Sequence, residues 1–273
     1  MKLHKILLSA FIITTAFTSC DEIDENERYI ELPAAEVQRK ILLEDYTGQM
    51  CTNCPDAHRL IASLQEQYGG QIVAVAIHAG SFAIAEGSNP KIVGLMQPEG
   101  NEYASHFGLG PESSYPSAVI NRVIGPIATA TDWPAAVRSE LEKESHLDIE
   151  VHSSILSDGN ISIAVSLIPS ADIEGKIQVW ITESGISAMQ VDNGKPIPNY
   201  IHNHVYRASV TDVWGDAISL KSGIFKDLGY TYTPKENWNE YNLHVVAFVY
   251  NDKDGVFQVD ECDIIPYQEP DYQ

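Results

Sequence analysis

The segment from Lys40 to His78 constrains the fold more than any other part of the chain. "KILLEDY" is a short apolar run ending at a Thr-Gly turn, strand-like by its length. "CPDAHRLIASLQEQYGG" then sets Ala57, Leu60, Ile61, Leu64 and Tyr68 at helical spacing, and Gly69-Gly70 ends the helix. "QIVAVAIHAG" is rich in β-branched residues and nearly unbroken, the pattern of a strand covered on both faces. Cys51 and Cys54 stand with two residues between them where the first strand hands over to the helix.

The pieces that follow keep the same alternation up to about Glu144. "GSFAIAEGSNPKIVGLMQPEG" reads as an irregular insertion and "NEYASHFGL" as a short helix. "YPSAVINRVIG" suggests a strand pair, and "TDWPAAVRSELEKES" a helix with Thr131 or Asp132 near its cap. This order, β-α-β-α-β-β-α, predicts an α/β domain with a mixed sheet over residues 39–145. From His146 the texture changes to alternating runs, beginning with two joined by Asp158-Gly159-Asn160, a hairpin signal. Six to eight short strands without helical periodicity predict an antiparallel β-sandwich over 146–268, with a short tail at 269–273. The four tryptophans, Trp133, Trp180, Trp214 and Trp238, are scattered and read as core or turn packing.

The first nineteen residues carry Lys2 and Lys5 ahead of an apolar run too short to span a bilayer, as a signal peptide does. The run stops at Phe17-Thr18-Ser19-Cys20, which resembles a bacterial lipobox and implies acylation of Cys20. "DEIDENERYIE" follows, with six acids against one arginine, a composition that stays solvated. Residues 20–38 are therefore expected to be an acidic tether, similar also to signals that send some lipoproteins to the outer face of the outer membrane. The formal charge is −21, and loss of Lys2 and Lys5 with the leader makes it more negative still. Such a chain repels phosphate backbones, so nucleic acid is not an expected partner.

The cysteine pair admits three chemistries. A structural zinc site needs four Cys or His ligands. Here Cys20 is assigned to lipid, Cys262 stands alone in a strand, and only His58 is near enough in sequence to join. A structural staple would be weak, because so short a loop holds little entropy in the unfolded chain. A redox pair fits the position better. A helix starting near Cys51 aims free N–H groups and its positive dipole end at that sulfur, which favours the thiolate. Cys54 would then resolve a mixed disulfide, and Pro55 suits the first helical turn.

At this point the chain resembles thioredoxin-like proteins, through "ILLEDY", "TGQM", Cys51-Thr52-Asn53-Cys54-Pro55, "IVAVAIH" and Tyr115-Pro116 before "SAVINR". The resemblance implies a cis proline at Pro116, with Tyr115 beside it, lining a substrate groove next to the cysteines. It also implies a buried acid serving the resolving cysteine, Asp45 or the neighbouring Glu44. The usual Trp-Cys-Gly-Pro-Cys wording is missing, and thiol potentials in such sites range over roughly −270 to −120 mV, so the direction of exchange stays open.

"EDYTGQMCTNCPDAH", "IHAGSF", "YPSAVINR" and "HNHVYR" on an exported chain also resemble the outer-membrane-protein-28-like lipoprotein family. That resemblance implies a thioredoxin-like domain followed by an immunoglobulin-like β-sandwich on a lipid anchor in the cell outer membrane, with either face of that membrane possible. Two functions are open: thiol-disulfide exchange on exported proteins, with a protein thiol or disulfide as partner, or a surface binding or adhesion role with the thioredoxin-like part as scaffold. No cofactor is expected. Read as one strand, "IHNHVYR" puts His202, His204 and Tyr206 on one face; structural hydrogen bonding suits them better than metal binding. His78 reads as a strand-end polar residue and Cys262 as a small packed hydrophobe.

Overall fold

The structure, a computed structural model, describes residues 37–264. The leader, Cys20, the acidic tether up to residue 36 and the tail from residue 265 lie outside the described residues. The elements run β1 (Ile41–Thr47), α1 (Cys54–Tyr68), β2 (Ile72–His78), α2 (Pro98–His106), β3 (Ser117–Ile120), β4 (Ile124–Ile127) and α3 (Trp133–Leu141). Only strands and one 3-10 turn follow: β5 (Leu147–Ile155), β6 (Ile161–Pro169), β7 (Ile173–Glu183), β8 (Ile186–Asp192), β9 (Lys195–His202), β10 (Val205–Ser209), β11 (Asp216–Leu220), β12 (Lys226–Tyr232), β13 (Leu243–Asn251) and β14 (Gly255–Asp263). The protein is thus mixed α/β with mostly β content.

One open sheet of nine strands is the frame, in the order β14-β13-β7-β10-β2-β1-β3-β4, with β11 sharing the edge of β7 with β10. β1 and β2 are parallel, with α1 supplying the crossover that parallel neighbours need, and β3 runs antiparallel to β1. The link between the two ends of the sheet is short: Val205 of β10 pairs with Ala76 of β2. A second sheet, β12-β6-β5, and a separate hairpin, β8-β9, complete the architecture.

Side-chain alternation explains how one sheet serves three cores. In β1 and β2, Ile41, Leu43, Ile72 and Ala74 face α1 and α3, where they meet Ala57, Ile61, Leu64, Trp133 and Val137. Their neighbours Leu42, Tyr46, Val73, Val75 and Ile77 point into another core, shared with Trp180 of β7 and with Val246 and Phe248 of β13. The intervening residues of those strands, Val179, Ile181, Val245 and Ala247, turn instead to Ile149, Val151, Ile163 and Val165 of the second sheet. The change of texture at residue 146 is therefore a change in what covers the frame, from helices to strands, while the frame itself continues.

Local differences from the sequence expectations have identifiable causes. α2 begins at Pro98 rather than near Asn101, because a proline at the first helical position is pre-set for the helix and loses no needed N–H. Asp132 does precede α3, but its side chain makes no capping hydrogen bond. "IHNHVYR" is not one strand: β9 ends at His202, His204 has a φ of 55°, and β10 starts at Val205. The face shared by His202, His204 and Tyr206 therefore does not exist. His202 lines a cavity beside α1, whereas Tyr206 lies in the central core.

Candidate functional site

Cys51 and Cys54 are joined by a disulfide at the foot of α1. The helix proper starts at Cys54, three residues later than the sulfur it was expected to start near, and Asn53 gives it no side-chain cap. Cys51 belongs to the turn after β1, where its N–H donates to Gly48 O at 3.0 Å. Gly48 must be glycine, since a Cβ there would meet the Phe82 carbonyl carbon at 2.6 Å. Met50 N donates to the same Phe82 carbonyl, at 2.8 Å. Phe82 in turn packs edge-on against Tyr115, and the Tyr115–Pro116 peptide is cis. Tyr115 and both cysteines belong to one apolar core.

The β8–β9 hairpin lies over this pair. Asn193 N and Gly194 N donate to Thr52 O at 3.3 Å and Thr52 Oγ1 at 2.7 Å. Val191 N donates to Gln49 O at 2.8 Å. Gln190, fully buried, donates from Nε2 to Cys51 O at 2.9 Å and to Gly48 O at 3.2 Å. Arg59 of α1 reaches Asp192 at 3.4 Å. Under this cover Cys51 is 3% exposed and Cys54 not at all. Sequence patterning gave no sign of Gln190, Asp192 or Gly194 here, because nothing local in "SAMQVDNGK" records a contact some 140 residues back along the chain.

β1 sends its two adjacent acids in opposite directions. Glu44 faces the central core and pairs with Arg122 at 3.1 Å. Arg122 also donates to Gln178 Oε1 at 2.9 Å and sits among the rings of Tyr103, Trp180, Trp214, Phe248 and Tyr250. Burial raises the Glu44 carboxyl, and the Arg122 charge opposes that rise. Asp45 faces α1. It is fully buried, neither oxygen has a hydrogen-bond partner, and burial pushes its pKa up to about 8. The nearest polar neighbour that could take up or give a proton is His58, whose Nε2 lies 3.5 Å from Asp45 Oδ2. His58 is one helical turn past Cys54, so Asp45 lies under the part of the helix that carries the second sulfur.

His58 opens onto a cavity of about 180 Å³ between α1, β2 and the end of β9. Its Nε2 is 3.1 Å from Thr47 Oγ1 and its Nδ1 2.9 Å from the Tyr200 hydroxyl. His78 and His202, both buried, face each other at 5.5 Å between ring centroids, and no ring nitrogen of either has a hydrogen-bond partner. Burial depresses His58 to about 3 and His202 and His204 to about 4, so all three are neutral at physiological pH. His78 is depressed for the same reason, with His202 adding to the effect. Among the described residues no three His, Cys, Asp or Glu side chains are placed to hold a metal ion. Cys262 is partly buried, 3.2 Å from Ser153 Oγ, with its thiol raised mainly by burial.

The fold and site define a mostly β protein built around a covered CxxC disulfide. The chain belongs to the family described as Outer membrane protein Omp28, whose model matches residues 101–267. That membership carries an outer-membrane location, and among the described residues no helix is long and apolar enough to cross a membrane. HBP35 of Porphyromonas gingivalis has a similar fold, with a TM-score of 0.66 at 12% identity over 87% of this chain and 80% of that one. A domain of the outer membrane lipoprotein Omp28 from the same organism matches at 22% identity over 45% of this chain and 92% of its own length, with a TM-score of 0.34. No curated protein matches the chain significantly.

Proposed function

We propose that this chain is an outer-membrane lipoprotein held by acylated Cys20, acting as a binding or adhesion protein. Residues 39–145 form a thioredoxin-like scaffold and residues 146–268 an immunoglobulin-like sandwich that makes the contacts. The observation that carries this reading is the cover on Cys51, which leaves that residue 3% exposed and shut off from a protein substrate. Family membership supports it too, since the matched segment begins at residue 101, after the cysteine pair. The test is protease treatment of intact cells, paired with a disulfide-exchange assay on the purified chain. Cleavage from outside, together with a Cys51–Cys54 bond that exchanges nothing with protein dithiols, is the expected result. Exchange as fast as at an open CxxC site overturns it.

A second reading, thiol-disulfide exchange on exported proteins, is favoured by Asp45, an unpaired buried acid beside the helix that carries Cys54. In it Cys51 is attacked, Cys54 leaves or resolves, Asp45 handles the proton, and Tyr115 and Pro116 border the groove once the β8–β9 hairpin lifts. Glu44, tied to Arg122, is left a structural part. A Cys54→Ser variant that traps partner proteins on Cys51 supports this reading, and one that traps none removes it.

A further inference from the structure

The cavity beside α1 holds more titratable side chains than a scaffold needs. Asp45 and His78 reach it from the sheet, His58 and Arg59 from α1, and Tyr200, His202 and His204 from the end of β9 and the turn beyond it. Asp45 is fully buried and His78 and His202 are each 2% exposed, and all three carry polar atoms without hydrogen-bond partners. Buried polar groups are normally satisfied, and a cluster of exceptions marks a site. His58 links the sealed end to the outside. One ring nitrogen lies 3.5 Å from the Asp45 carboxylate, and the other 2.9 Å from the hydroxyl of half-buried Tyr200.

From this geometry we infer that His58 and Tyr200 are the proton outlet of Asp45, carrying protons between the buried acid and solvent as the Cys51–Cys54 bond opens and closes. The inference rests on the exchange reading for its biological use, but the proton path is a property of the site alone. When an external thiolate attacks Cys51 Sγ, a new S–S bond forms there and the Cys51–Cys54 bond breaks. Cys54 departs with the electron pair and takes a proton from Asp45. Asp45 recovers one from His58 Nε2, while His58 Nδ1 draws one from the Tyr200 hydroxyl, which is restored from water. Reoxidation runs the same steps backwards. Thr47 Oγ1, 3.1 Å from His58 Nε2, holds the ring between its two partners.

The test is the rate at which dithiothreitol reduces the disulfide of the full chain, from pH 5 to pH 9, in wild type, His58→Gln and Tyr200→Phe. The ratio of variant to wild-type rate cancels the reagent's own titration. The expected ratio for His58→Gln is about one-tenth near neutrality, less than the ~10²-fold of an acid that meets the reacting atom, because His58 acts through Asp45. It should climb toward one by pH 9, where a departing thiolate no longer needs a proton. Tyr200→Phe, which removes only a hydroxyl, should show the same shape with a smaller depth and guards against a folding defect in the first variant. Ratios that stay at one, or that are lowered equally at every pH as a merely structural effect would do, overturn the path. Ratios that follow the expected pH course, from a wild-type protein that exchanges nothing with a protein disulfide, remove the exchange reading and leave the path standing.

Discussion

Gly194 N donates to Thr52 Oγ1 at 2.7 Å, which seats the tip of the β8–β9 hairpin on the dipeptide between the two cysteines. The hairpin pairs with itself and not with either larger sheet, and Gly185 and His204, at φ 71° and 55°, bracket it. Thr52→Val deletes one acceptor at the tip. A hydrogen bond contributes about 1 kcal/mol, so the lifted population should rise about fivefold. Under the exchange reading, thiol labelling during reduction by a protein dithiol should accelerate by the same factor, while the rate with a small phosphine changes less. Equal acceleration with both reagents would place the barrier elsewhere.

Glu44 and Arg122 form a buried pair whose halves cannot be separated cheaply. Arg122→Met alone leaves an uncompensated buried carboxylate and should cost about 3–5 kcal/mol. Replacing both, as Glu44→Leu with Arg122→Met, should recover much of that, because well-packed apolar groups substitute for a buried pair with little loss. Urea unfolding of the two single variants and the double gives the coupling directly.

The buried titratable groups shape the stability profile with pH. Asp45, at about 8 in the folded chain, binds its proton more tightly folded than unfolded, where an Asp titrates near ~3.9. Its contribution is complete at low pH, declines as the unfolded chain ionises, and is lost as pH passes the folded value. His58, His202 and His204, depressed to about 3, 4 and 4, act in the opposite sense. They make stability rise with pH up to the ordinary histidine value of ~6.5. Above that value Asp45 and, up to about 7, Glu261 remain. Stability should therefore peak near neutrality and fall toward pH 8 by up to ~1.4 kcal/mol per pH unit for Asp45. Asp45→Asn should flatten the alkaline side and steepen the rise between about pH 4 and 6.5, as read by thermal melts across pH.

Reducing the disulfide should leave the protein folded. The bond joins cysteines only three positions apart, and the chain-entropy estimate for so small a loop is about 2 kcal/mol. The double variant Cys51→Ser/Cys54→Ser should melt only slightly below the oxidised wild type, and full unfolding on reduction would contradict this.

Much of the frame was legible because it is local. Ala57, Ile61 and Leu64 are buried on α1 as their spacing required, and β2 is buried throughout as its unbroken apolar run required. The Asp158-Gly159-Asn160 turn does join β5 to β6. The cover on Cys51 was not legible, since period-2 alternation in β8 and β9 says nothing about which distant surface the hairpin meets. "IHNHVYR" misled because a strand pattern assumes extended backbone throughout, and His204 breaks it with a positive φ. Glu44 and Asp45 were separable in principle, as neighbours on a strand must face apart. Which of them met Arg122 depended on a loop 78 residues away.

Trp180, Phe248, Val75 and Ile77 share one apolar core, though they come from opposite halves of the chain. Neither half of the chain owns that core. A protein ending at residue 145 would retain both sulfurs and α1 but expose the flank of β2 that β10 and the aromatic strands now close. The two textures read along the sequence are in this sense inseparable in solution, and should melt together in one cooperative step.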